Sequence, residues 1–180
     1  MKGLILLANG FEDTEAITTM DILYRAGLEL DKVNMGEEKY ITTQCQNMIY
    51  VPTMFKDVKL EEYDYLIIPG GKAVFNYLNK DERVEKAVKY FVNNNKKVFA
   101  ICAGPMVIGK HGYFENKKFT CFPTCEEGII GEYTKDGVTV DGNFITGKSM
   151  AYTVDFGLAI VESLLGKDKK DEVEKSVFAK

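Results

Sequence analysis

The segment FAICAGPMVIGKHG (residues 99–112) carries an apolar run into Cys102 and then through Ala103, Gly104 and Pro105. A cysteine at the end of a buried strand, on a sharp turn into a helix, is a candidate nucleophile. The small neighbours Ala100, Ala103 and Gly104 suit a turn where the backbone crowds itself. The helix expected from there aims its first N–H groups at the thiol, and its dipole favours a thiolate. Pro105 fits the first helical turn, where a missing N–H costs nothing. Packing is the alternative, because free cysteines are often core residues. The place at a strand's carboxyl end favours function.

A thiol nucleophile needs a proton carrier. The only histidine, His111, lies nine residues along the same predicted helix, about 13 Å away at ~1.5 Å per residue. It is read as a helix cap near Gly112, so a Cys-His dyad and protease activity are not expected. Acids are the other candidates. In GFEDTE (residues 10–15), Glu12 and Glu15 stand one helical turn apart. Acids also favour helix N-termini for their own sake. A protonated carboxyl against the sulfur would lower the thiol pKa, and an ionised one would raise it. The spacing alone leaves open which acid acts.

These groups need elements to hold them. KGLILLA (residues 2–8), LDKVNMG, YDYLIIPGG and KKVFAIC read as buried strands. Between them, residues 13–27 and 81–95 read as amphipathic helices, the first ending at Gly27 and the second capped by Asp81. YITTQ with MIYVP suggests a small hairpin, KFTCF a further strand, and GVTVDGNFITG a hairpin turning at a DG signal. YTVDFGLAIVESLLG closes the pattern as a helix, and the Lys-rich end (residues 167–180) reads as a solvated terminal helix. Alternating apolar strands and amphipathic helices imply an α/β domain over residues 1–180, with a mostly parallel sheet covered on both faces. Ligands of such sheets bind beyond the strands' carboxyl ends. That rule selects NGFEDTE, the PGG of residues 69–71 and Cys102.

Composition narrows the class. At 180 residues, 46% apolar and 28% charged, the chain is long enough for one real core and is neither disordered nor membrane-spanning. A net charge of -4 argues against a nucleic-acid surface. The apolar start is too short for a signal peptide and lacks a small-residue cleavage site. The expectation is a cytoplasmic protein. Cys45, Cys102, Cys121 and Cys125 are then free thiols. Cys121 and Cys125 read as ordinary thiols near a strand end, because a zinc site needs more nitrogen or sulfur ligands.

LANGFEDTE, DYLIIPGG, FAICAGP and FGLAIVESLLG together resemble the ThiJ/PfpI superfamily, in the branch of the parkinsonism-associated protein deglycase and its bacterial homologues. The resemblance spans nearly the whole chain. It implies a flavodoxin-like three-layer sandwich, usually a homodimer, with no cofactor or metal. Carried over by position, Cys102 matches the reactive elbow cysteine and Glu15 the glutamate that hydrogen-bonds it. Gly71 and Ala103 match the backbone donors of an oxyanion site, and Arg25, Gly70 and position 122 belong to the pocket. Two places depart from the pattern. Phe122 in CFPTC stands where that branch has a histidine before proline, and SMAYT (residues 149–153) replaces a GPGT-like loop. Ala103 also stands where the protease-like branch has a histidine.

The resemblance implies an enzyme of stress defence that attacks small reactive carbonyls, glyoxalase- or deglycase-like. The alternative is a redox sensor whose cysteine is oxidised by peroxide, or a chaperone-like stress protein without turnover. A folded relative with no surviving chemistry is the third reading.

Overall fold

The computed structural model describes residues 1–178. Six strands form the main sheet: β1 (Lys2–Leu7), β2 (Glu29–Asn34), β5 (Tyr65–Ile68), β6 (Lys97–Ile101), β9 (Val138–Asp141) and β10 (Phe144–Gly147). Their order is β2-β1-β5-β6-β10-β9, and all pairs are parallel except β9 with β10. The central strands β1, β5, β6 and β10 are buried almost throughout, as strands covered on both faces must be. The edge strands β2 and β9 are only partly buried.

Helices α1 (Asp13–Arg25) and α5 (Thr153–Leu165) pack against each other, and α5 also meets β6, β9 and β10. Gly157 lets these two helices approach: a Cβ there would lie 2.9 Å from Ile22. Helix α3 (Glu82–Asn93) packs on β5 and β6. Its apolar residues Val84, Ala87, Val88 and Phe91 follow helical spacing and are all buried. Asp81 caps it, accepting from the Arg83 N–H at 2.8 Å. The result is the expected α/β flavodoxin-like sandwich. Among the described residues, no helix is long and apolar enough to cross a membrane.

The predicted small hairpin is β3 (Tyr40–Thr42) with β4 (Met48–Tyr50), antiparallel. The hairpin β9–β10 turns one residue later than its DG signal suggests. Asp141 pairs with Phe144, so Gly142 and Asn143 form the turn. KFTCF yields only β7 (Lys118–Phe119), paired in parallel with β8 (Glu132–Tyr133). The sequence signalled neither β8 nor the short helix α2 (Lys72–Asn76). The Lys-rich end is helical over α6 (Lys167–Ser176), and residues 179–180 lie outside the described part.

The helix after Cys102 is shorter than expected. It spans α4 (Pro105–Gly109) and gives way to turns that reach Gly112, where φ is +76°. His111 therefore lies beyond the helix, and its side chain turns toward α3. Its Nδ1 is 3.8 Å from Glu85 Oε1, which places the ring away from a capping role.

Candidate functional site

Strand β6 delivers Cys102 to the sheet's carboxyl edge, where the backbone is held from both sides. The Cys102 N–H donates to Gly147 O at 2.8 Å, and its C=O accepts from the Phe122 N–H at 2.9 Å. The Cys102 φ of +62° lies in the left-handed region that non-glycine residues avoid. Such a conformation costs roughly 1–2 kcal/mol, and it persists here because both flanking peptides are bonded. Gly104 closes the turn by donating to Ile101 O at 2.9 Å.

Helix α1 brings in the carboxylates. Glu12 caps the helix: its side chain accepts from the Glu15 N–H at 2.7 Å. Glu15 points inward and is 1% exposed. Its Oε2 accepts from the Gly70 N–H at 3.0 Å, and its carboxyl sits beside Cys102, both lying within 3 Å of where a Gly70 Cβ would stand. The choice between the two acids is therefore settled by geometry, because Glu12 is occupied at the helix end and Glu15 lies beside Cys102.

Gly70 and Gly71, after β5, complete the cluster. A Cβ on Gly70 would lie 2.5 Å from Glu15 Oε2, 2.7 Å from Cys102 Cβ and 3.1 Å from Ala103 N. Gly71 has φ +91°, and a Cβ there would fall 2.4 Å from Glu12 N. Only glycine fits this approach. The backbone N–H groups of Gly71 and Ala103 lie beside Cys102 and pull its thiol pKa down.

Burial raises the Glu15 carboxyl to about 7, with Glu12 adding to the rise and the Cys102 thiol and Gly70 N–H opposing it. Burial, then the Glu15 charge, pushes the Cys102 thiol up, while the Ala103 and Gly71 amides pull it back. The short helix α4 thus gives way to two individual amides and a carboxyl as the groups that govern the sulfur.

Of the predicted site residues, Cys102, Glu15, Gly70, Gly71 and Ala103 converge. Phe122 is adjacent through its backbone bond to Cys102, with its residue 47% exposed. Arg25 does not join them within the chain. It lies ten residues beyond Glu15 on α1, about 15 Å along the axis, where it pairs with Asp21 at 2.8 Å on the surface. Cys121 and Cys125 are buried thiols. No cluster of three or more potential ligands among the described residues could hold a metal ion.

One part of the site carried no sequence signal. The turn between β3 and β4 lies against α1 and α2. Asp13 accepts from Thr43 Oγ1 at 2.6 Å, Asn47 Nδ2 at 2.7 Å and the Cys45 N–H at 3.0 Å. Gln44 donates its N–H to Phe11 O at 2.8 Å, and its Oε1 accepts from the Lys72 N–H at 3.0 Å.

A sequence profile of the DJ-1/PfpI family matches residues 1–163. The protein dj-1beta of Drosophila melanogaster is 30% identical over 180 residues, covering 98% of this chain and 96% of that one. The Parkinson disease protein 7 homolog of Danio rerio is 26% identical over 184 residues, covering 99% and 97%. The crystal structure of Drosophila DJ-1beta superposes with a TM-score of 0.92 at 28% identity, over 99% of this chain and 98% of that one. That of Schizosaccharomyces pombe DJ-1 gives 0.88 at 29% identity, over 98% of each. Profile, relatives and fold agree along almost the full length, and the chain belongs to the DJ-1/PfpI family.

Proposed function

We propose that this protein is a cofactor-independent thiol enzyme of stress defence acting on small reactive carbonyls, glyoxalase- or deglycase-like. The observation that carries this reading is the Glu15 carboxyl buried beside Cys102, where burial pushes it up to about 7. A carboxyl tuned there accepts and returns a proton at neutral pH, as general acid–base catalysis requires. The raised thiol suits the same role, because attack and proton removal then occur together.

For an oxoaldehyde such as methylglyoxal, the sulfur bonds the aldehyde carbon while the thiol proton passes to Glu15. The carbonyl oxygen becomes the hemithioacetal oxygen, facing the Gly71 and Ala103 amides. Glu15 then moves a proton from that carbon to its neighbour, which oxidises the first and reduces the second. The resulting thioester takes up water, releasing lactate and the free thiol. The net change is addition of water, so no external oxidant or reductant is needed.

A second reading rests on Phe122, which supplies no proton where the family's histidine would stand. Cys102 would then serve as a redox sensor: peroxide takes the thiol to sulfenate and on to sulfinate, and is itself reduced to water or an alcohol. In both readings the protein acts as a cytoplasmic homodimer. An apolar groove of about 350 Å³ along α1 and β2, with Ile17 and Tyr24 exposed on its rim, supports a second copy docking there.

The deciding experiment is methylglyoxal consumption with lactate formation, in the native chain and in Cys102→Ser and Glu15→Gln. Turnover in the native chain that falls at least about a hundredfold in both variants supports the enzyme. No turnover in the native chain overturns it and leaves the sensor.

A further inference from the structure

We propose that Glu12 is a further positioning residue of the site: its carboxylate keeps the proton on Glu15, beside Cys102. The inference rests on Glu15 as the proton carrier of the reading above and deepens it. Glu12 is the N-cap of α1, and Glu15 stands three residues on, in the first turn. In a closed capping box the side chain of each would bond the backbone N–H of the other. Only half of that box is made here. The Glu12 carboxylate accepts from the Glu15 N–H at 2.7 Å. Gly70 takes over the return half. The Glu12 N–H donates to Gly70 O at 3.2 Å, and Glu15 Oε2 accepts from the Gly70 N–H at 3.0 Å. Three hydrogen bonds thus run in a ring through Glu12, Gly70 and Glu15. The ring releases the Glu15 carboxyl from capping, and it ties the Glu12 carboxylate to the Glu15 backbone.

The choice of cap is the second observation. Ser, Thr, Asp and Asn are the preferred N-caps. A neutral Ser or Thr would serve the helix, whereas Glu12 adds a negative charge one turn from a carboxyl that is 1% exposed. A like charge there opposes ionisation of Glu15, in the same direction as burial. Among the described residues, the titratable groups that act on Glu15 are Cys102 and Glu12. Burial pushes the Cys102 thiol well up, so it keeps its proton while Glu15 titrates. A negative charge also suits a helix N-terminus. Stability alone therefore does not separate the two roles, and the proton itself must be read.

The test follows the Glu15 side-chain carboxyl carbon by NMR from pH 4 to pH 9 and needs no turnover. The proteins are the native chain, Glu12→Gln, Glu12→Ser and Glu12→Asp, with Glu15→Gln to assign the signal. Glu12→Gln keeps the length and an acceptor for the Glu15 N–H. Glu12→Ser supplies a preferred neutral cap and Glu12→Asp a preferred charged one. The Glu15 midpoint, at about 7 in the native chain, should fall by about half a pH unit in the Gln and Ser variants, a roughly threefold loss of proton affinity. Glu12→Asp should hold the native midpoint. A midpoint unmoved in both neutral variants overturns the proposal, even with a lowered melting temperature. An equal fall in Glu12→Asp also overturns it, because the charge is then not the cause. So does a native midpoint near the ordinary 4.5. Absence of methylglyoxal turnover would overturn the enzyme reading and leave a shifted midpoint standing.

Discussion

The Gly70 N–H donates to Glu15 Oε2 at 3.0 Å, and a Cβ on Gly70 would lie 2.5 Å from that same oxygen. The glycine both binds the carboxyl and leaves the space that lets it reach Cys102. Gly70→Ala therefore forces Glu15 or the Cys102 turn to shift. Overpacking of this kind costs about 1–3 kcal/mol. Urea denaturation should show that loss, and Cys102 alkylation should change in the same variant. A variant as stable and as reactive as the native chain would mean that the cluster yields without strain.

The Glu15 carboxyl makes stability depend on pH. Its folded value is raised from 4.5 to about 7, so the native state binds the proton more tightly than the unfolded chain. The stabilisation is complete below about 4.5 and is lost as pH rises through about 7. The difference amounts to about 3 kcal/mol. Glu15→Gln keeps the shape of the protonated carboxyl and cannot ionise. Denaturation at pH 5 and pH 8 should find the native chain losing ground to this variant at the higher pH. Equal pH dependence in both would show that Glu15 is not held near neutrality.

The groove along α1 bears on the proposed dimer. Tyr24 is 81% exposed and Ile17 is 42% exposed, beside Met20, Leu28 and Leu30. If a second copy covers this face, Tyr24→Lys should shift sedimentation from dimer toward monomer and leave the fold intact, since little else touches so exposed a side chain. A native chain that sediments as a monomer would overturn the dimer, and a variant that stays dimeric would move the interface elsewhere.

The frame of the site was legible because it depends on local patterns. Apolar strands and helically spaced residues such as Val84, Ala87, Val88 and Phe91 predict the layers, and the layers carry Cys102 to the sheet's carboxyl edge. The choice of Glu15 over Glu12 was not legible from spacing alone, since both face one end of a helix. It turns on which carboxyl is consumed by capping. The contacts of Gln44 in the β3–β4 turn left no trace, because they join positions 28 and 33 residues apart and use residue types common in any turn. Arg25 shows the converse: a match by position says nothing of the distance that a helix puts between its ends.

Phe122, where the family resemblance implies a histidine, offers the sharpest test of proton supply at the site. Its link to the site is a backbone bond, the N–H donated to Cys102 O, which survives any side-chain change but proline. The residue is 47% exposed, so Phe122→His should alter stability by no more than about 0.5 kcal/mol. An unperturbed imidazole titrates near ~6.5 and would give the hemithioacetal a second proton carrier beside Glu15. General acid–base groups of this kind contribute at least about a hundredfold when well placed, and a histidine added without supporting contacts should recover about tenfold. The measurement is methylglyoxal turnover in Phe122→His against the native chain, with Phe122→Leu as the control for lost aromatic bulk. A gain in the histidine variant alone assigns the limit to proton transfer at position 122. If both variants equal the native rate, the limit lies elsewhere in the site, and SMAYT (residues 149–153), where the resemblance implies a different loop, is the next place to alter.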